Sequence, residues 1–298
     1  MPSFSAQHWE DLLGSIARQR CTVFLGAGAS RPLPLGGELA EAIAARYRLL
    51  NVQGADLPRV AHYASLLPHV SDEGLRTFIE EKCRAAGEPD FANPDQLHMV
   101  LARLPFEYYA TTNYDSFMTR ALTIAGRPPA VEICQWHNAR WDEATVSKEV
   151  AEPTVARPLV FHLHGAFQDW ESMVLTEDDY LQFLTVTAAN KSIIPSVVEK
   201  AFTRRLLFLG YGLEDMTFKV ALRKLSVTMR RLQMTHLTVQ LKPALYSSDK
   251  AGRQRRRIQE EYVKKILGSR AQIYWGSCED FAGELRRRWA QRGQAAAA

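Results

Sequence analysis

The chain has 298 residues, 46% of them hydrophobic, with a formal net charge of +4. That length suffices for one large domain or for one carrying an inserted subdomain. No apolar run approaches the ~20 residues that cross a bilayer, which excludes a helical membrane protein. The opening segment MPSFSAQHWEDLLGSIARQR lacks the charged start, apolar stretch and cleavage site of a signal peptide. Its apolar residues Trp9, Leu12, Leu13 and Ile16 instead share one helix face. A cytoplasmic chain without membrane association is the expectation. Cys21, Cys83, Cys134 and Cys278 stand far apart with no CxxC pair, so neither a zinc ribbon nor disulfides are expected. The basic excess is local, in Arg253, Arg255, Arg256 and Arg257 and again in Arg286, Arg287 and Arg288. Such runs suit phosphates, a solvated helix face or a protein contact, so nucleic-acid contact stays open.

In chain order, apolar runs predict strands at Cys21–Leu25, Phe106–Ala110, Leu159–Leu163, Leu206–Leu209, Leu237–Leu241 and Ala271–Trp275, with Val131–Cys134 weaker. Most are apolar throughout, as expected of strands covered on both faces. Helical stretches between them make a parallel sheet with crossovers the economical arrangement. Two interruptions, residues 38–104 and 176–205, are mostly helical. The first is longer than a single crossover needs and predicts a helical subdomain. Residues 294–298 are expected to be a disordered tail.

Several predicted strands end in polar or glycine-rich segments. Thr22–Leu25 runs into Gly26-Ala27-Gly28-Ala29-Ser30, where glycines let a backbone approach a pyrophosphate. The third glycine of GxGxxG is absent, and no second strand ends in an acidic residue ~20 residues on, so a dehydrogenase is disfavoured. Thr111-Thr112-Asn113-Tyr114-Asp115 follows the second strand. Asp115 suits a cap for the helix from Ser116 to Ala125, which ends at Gly126. Asn113 instead points an amide into the crevice where such sheets bind ligands. Phe161-His162-Leu163-His164-Gly165 places two histidines on one face by strand alternation. A metal pair there lacks a third ligand, whereas a histidine base near neutral pH needs little tuning. Leu206–Leu209 ends in Gly210-Tyr211-Gly212.

The ordered set GAGAS, TTNYD, HLHG and LGYG resembles the sirtuin-like family, which carries GAGxS, a TQNID-type segment, an HG-containing segment and a GTS-type turn. The run TTNYDSFMTRALTIAG extends the match, and the resemblance spans Cys21 to Ala282. It implies a Rossmann-like parallel sheet flanked by helices, with residues 1–293 forming one NAD-binding domain that includes both helical insertions. By position, Gly26, Ala27, Gly28 and Ser30 would form the NAD loop, with Thr112 beside it. Asn113 and Asp115 would lie on the ribose and nicotinamide side. His164 would match the catalytic histidine, and Gly210, Tyr211 and Gly212 would lie on the phosphate and adenine-ribose side. His162 matches no required family residue and is read as structural.

The zinc-binding cysteine pairs of deacylating sirtuins are missing, so the chain looks more like zinc-free bacterial sirtuin-like proteins of anti-phage defence. The resemblance therefore implies an NAD glycohydrolase, with NAD as substrate and no metal. It also implies activation by homo-oligomerisation or by a separate subunit, such as a partner ATPase of the HerA type. Cleavage of the nicotinamide–ribose bond passes through an oxocarbenium-like state, with His164 as base, Asn113 holding water or ribose, and Asp115 orienting neighbours or favouring developing positive charge. Rival readings are an NAD-dependent deacylase or ADP-ribosyl transferase, an NAD or ADP-ribose sensor, and a nucleic-acid-binding subunit. Only the enzymes need both Asn113 and His164.

Overall fold

A computed structural model describes residues 4–52, 54–139, 149–189, 193–212, 235–240 and 250–297. Seven parallel strands form one sheet: β1 (Cys21–Leu25), β2 (Tyr108–Thr111), β3 (Ala130–Ile133), β4 (Leu159–His162), β5 (Arg205–Leu209), β6 (Leu237–Gln240) and β7 (Gln272–Trp275), in the order β3-β4-β2-β1-β5-β6-β7. Every residue of the five inner strands is buried, which is why their sequences are apolar rather than alternating. The edge strands β3 and β7 are only half-buried. Each predicted strand is present, β1 with the predicted bounds and the others with no end displaced by more than two residues; Leu241 lies outside the described residues.

Successive residues of a strand point to opposite faces, so the sheet builds two cores. Phe24, Ala110, Phe161 and Phe208 face the layer of α8 (Glu177–Ala189), α9 (Ser196–Phe202) and α10 (Lys250–Leu267). Val23, Leu25, Tyr109, Val160 and Leu207 face α1 (Ala6–Ala17), α5 (Leu97–Ala102), α6 (Phe117–Ile124) and α11 (Cys278–Ala297). The stripe Trp9, Leu12, Leu13 and Ile16 packs there as predicted, each side chain contributing roughly 1.5–3 kcal/mol by leaving water.

The subdomain predicted within residues 38–104 is smaller than that segment. α2 (Gly36–Tyr47), α3 (Leu57–Ser65) and α4 (Asp72–Ala86) share a third core around Ile43, Val60, Leu75 and Ile79. α5 instead packs against α6 and α11 under the sheet, because Leu97, Val100 and Leu101 carry an apolar face of their own. Residues 176–205 hold α8 and α9, which form part of the layer over the sheet. α11 runs to Ala297, through alanines that are the strongest helix formers. No helix among the described residues is long and apolar enough to cross a membrane.

Candidate functional site

β2 and β5 flank β1, and the chain reaches them in opposite directions along the sheet. Such a reversal opens a crevice beyond the carboxyl ends of the strands. The Gly26–Ser30 segment leaves β1 there and turns as a single 3-10 turn, Ala27–Ala29; α2 begins only at Gly36. The loop thus lacks the immediate long helix of a dinucleotide fingerprint.

The glycines are used by the protein itself. The Gly28 N–H donates to the Gly210 carbonyl at 2.8 Å, and the Gly26 N–H to Leu209 at 2.9 Å. Gly210 has φ +76°, and a Cβ there would lie 2.1 Å from the Ala29 nitrogen. A Cβ on Gly26 would meet the Tyr211 ring at 2.8 Å. These close contacts use the glycines to pack the two loops against each other. Tyr211 is buried; its hydroxyl donates to the Leu25 carbonyl at 2.7 Å and bonds Thr112 Oγ1 at 2.9 Å. Gly212 is exposed beyond this knot.

Asn113 and Asp115 meet the first loop. Asn113 Nδ2 donates to the Gly26 carbonyl at 2.9 Å and to Ser30 Oγ at 2.7 Å. Ser30 Oγ in turn donates a hydrogen bond to Asp115 Oδ2 at 2.7 Å. Asp115 Oδ1 accepts from the Phe117 N–H at 2.9 Å, so the same carboxylate also caps the start of α6. Burial raises the Asp115 pKa, against the lowering pull of these two donors. Asn113 Oδ1 accepts no bond among the described residues, and the residue is half-buried.

The two histidines part company. β4 ends at His162, Leu163 and His164 form a turn, and Gly165 follows at φ +88°. Strand alternation therefore does not reach His164, and the expectation of one shared face fails. His162 Nδ1 lies 3.1 Å from the Asn113 carbonyl, and burial lowers its pKa. His164 is fully buried, its ring edge-on to Tyr180 and Phe183 of α8 at 5.5 and 5.0 Å. Neither of its nitrogens has a hydrogen-bond partner among the described residues, and desolvation lowers its pKa to about 3. The proximity of His162 to Asn113 escaped the sequence reading, because only the turn at Leu163 separates the two rings.

A shallow groove of about 350 Å³ runs beside the loop between Arg31, Pro32, Glu38 and Lys82, and none of the predicted site residues lines it. Arg286 pairs with Asp95, while Arg287 and Arg288 pair with Glu284, which is the solvated-face reading of that run. The side chains of Arg253, Arg255 and Arg256 lie outside the described residues.

With this geometry in hand, comparison with known proteins gives three findings that agree. Proteins named NAD(+) hydrolase ThsA from Bacillus cereus and Acinetobacter baumannii are 26% and 24% identical over 234 and 233 residues, covering 76% of this chain and 44% of each relative. The protein of that name from Cytobacillus dafuensis is 28% identical over 138 residues, 46% of this chain and 25% of its own. The chain spans less than half the length of these relatives. A family model described as SIR2-like domain matches residues 107–266, a span that holds Asn113, Asp115, both histidines and Gly210–Gly212, and more than half of the chain. The chain belongs to the SIR2-like domain family.

Proposed function

We propose that the chain hydrolyses NAD at the nicotinamide–ribose bond, yielding nicotinamide and ADP-ribose, as an NAD-depleting effector of bacterial anti-phage defence. The observation that carries this reading is the Asn113 amide, held by Gly26 and Ser30 at the switch point of the sheet with Oδ1 facing outward from its own bonds. The names of the relatives supply the substrate class.

The chemistry asks little of acids. The C–N electron pair leaves with a cationic pyridinium, which departs as neutral nicotinamide, and the ribose becomes oxocarbenium-like. Water adds to the anomeric carbon and gives up one proton. Asn113 Oδ1 accepts from that water or from a ribose hydroxyl, and its fixed geometry lowers the entropic part of the barrier. Asp115 acts as a positioning residue through Ser30 rather than by touching substrate, since its oxygens are engaged. Thr112 and Tyr211 hold the Gly26 and Gly210 loops in register beneath the dinucleotide.

The family resemblance assigns the base role to His164. In that role its ring must leave the Tyr180–Phe183 enclosure, so α8 shifts on the way to turnover. A second reading has one observation in its favour: His162 already contacts Asn113. Chromatography of products from NAD separates them. Wild type is expected to release nicotinamide and ADP-ribose, whereas Asn113→Ala and His164→Ala release neither and His162→Ala retains turnover. Loss in His162→Ala with retention in His164→Ala would transfer the role. Bound NAD without products would replace hydrolysis by sensing. Activation through a homo-oligomer or a HerA-type ATPase is part of the proposal, and it requires turnover per chain to rise with protein concentration or with the added partner.

A further inference from the structure

A second polar cluster lies away from Asn113. Its members are His137, on α7 (Trp136–Ala139), Asp169 at the end of the turn after Gly165, and Glu171 in the 3-10 turn Trp170–Ser172. His137 Nε2 is 3.6 Å from Asp169 Oδ2, and one ligand atom from each of the three lies within 4.8 Å of the other two. His137 is buried, Asp169 half-buried and Glu171 exposed. Surface acids gather often without consequence, but a buried imidazole is held in place by the fold. Among the described residues neither carboxylate pairs with a lysine or arginine. The nearby Arg76 guanidinium lies over the Trp170 ring, yet its Nη2 is committed to Asp179 at 2.8 Å.

The scaffold around the cluster is tied together. Trp136 Nε1 donates to the Ser172 carbonyl at 2.7 Å, which fixes α7 to the 3-10 turn. Ser172 Oγ donates to the Asp169 carbonyl at 2.5 Å and accepts from the Ala166 N–H at 3.1 Å. A Cβ on Gly165 would lie 2.2 Å from the Ser172 carbonyl oxygen, so the turn closes tightly on itself. Three ligands on two separate segments thus converge on ground that the backbone holds rigid.

We propose that His137, Asp169 and Glu171 bind one divalent transition-metal cation, with zinc the best fit. One imidazole nitrogen and two carboxylate oxygens are a zinc donor set, and an imidazole argues against calcium or magnesium, which take oxygen. Zinc–ligand bonds of ~2.0–2.2 Å in a tetrahedron set neighbouring ligand atoms about 3.4 Å apart. The His137–Asp169 pair already approaches that spacing, and the exposed Glu171 closes the rest by rotating its side chain. Water takes the fourth position on the Glu171 side. The cation neutralises two adjacent carboxylates and clamps α7 to the turn that follows His164 and Gly165. This site is independent of the NAD reading and revises the expectation of no metal drawn from the missing cysteine pairs.

The test uses the whole chain, tag-free and stripped with a chelator, titrated calorimetrically with zinc chloride and followed by thermal unfolding. One zinc per chain is expected, with a rise in Tm that magnesium does not reproduce. Glu171→Gln and His137→Asn are each expected to weaken zinc by about tenfold or more and to abolish the rise. Glu171 is exposed and its side chain makes no hydrogen bond or ion pair among the described residues, so Glu171→Gln should melt like wild type without zinc, keeping the test valid if His137→Asn misfolds. Absence of stoichiometric zinc binding, or an affinity unchanged in Glu171→Gln, overturns the proposal.

Discussion

Replacing His164 by leucine tests the enclosure of this ring directly. In the folded chain the imidazole is buried among Tyr180 and Phe183 with both nitrogens unpartnered among the described residues, and its pKa falls from 6.5 to about 3. The unfolded chain therefore binds one more proton than the folded chain between those values. Stability conferred by keeping the ring neutral is intact above pH 6.5 and declines as pH falls, by about 1.4 kcal/mol per pH unit. Between pH 7 and pH 4.5 the loss is about 2.5 kcal/mol, a large part of the 5–15 kcal/mol that holds a typical domain. His98 and His236, each lowered to about 4 by burial, add to the same acid slope. His164→Leu removes one of these protons and also two buried unpartnered nitrogens. Urea unfolding at a series of pH values should show the variant at least as stable as wild type at pH 7, with an acid slope shallower by about 1.4 kcal/mol per unit. An unchanged slope would mean that the ring meets solvent in the folded protein, and the enclosure by α8 would be wrong.

Other perturbations read the rest of the site and its supports. Gly210→Ala forces a Cβ to within 2.1 Å of backbone at positive φ and should cost several kcal/mol or abolish soluble expression, whereas Gly37→Ala, in α2 with open space around it, should raise stability by about 0.5–1 kcal/mol in the same chemical-denaturation assay. Tyr211→Phe deletes the bonds to Leu25 and Thr112 at a buried point and should cost about 1–2 kcal/mol by urea unfolding, with turnover reduced more than binding if the loops lose register. Arg76→Leu strands the buried Asp179 carboxylate. Its amide donors Leu175 and Thr176 remain, so a loss near 3 kcal/mol is expected by calorimetric unfolding. A loss below 1 kcal/mol would show that the pair is open to water.

The seven strands were legible because each is a short apolar run with turn residues at its carboxyl end. β3 was the weakest signal for a physical reason: it is an edge, with Val131 exposed and the rest only half-buried, so little of its pattern records burial. Asn113 was singled out by position alone, and the structure bonds its amide to Gly26 and Ser30 just beyond the buried strand. Asp115 was ambiguous in the sequence and is double in the structure, one oxygen capping α6 and the other on Ser30. The histidines misled because a period of two holds only while the strand continues, and the strand stops at His162. His137, Asp169 and Glu171 carry no local signature, for their convergence depends on the Trp136–Ser172 bond between segments far apart in the chain.

That same region ties the carboxyl edge of the sheet to α4. The backbone from Met173 to Asp179 is gripped from three directions. Tyr114, beside Asn113, donates its hydroxyl to the Val174 carbonyl at 2.7 Å. The Val174 N–H returns a bond to the His164 carbonyl at 2.9 Å. Arg76 of α4 reaches both the Met173 carbonyl and the Asp179 carboxylate. α8 grows directly out of this clamp and carries Tyr180 and Phe183 over the His164 ring. Movement of α8 away from His164 therefore strains bonds to β2, to β4 and to the subdomain together. An element tied to three supports resists gradual drift, because packed cores deform poorly. The burial of His164 and the ion pair of Arg76 are thus two ends of one structural link.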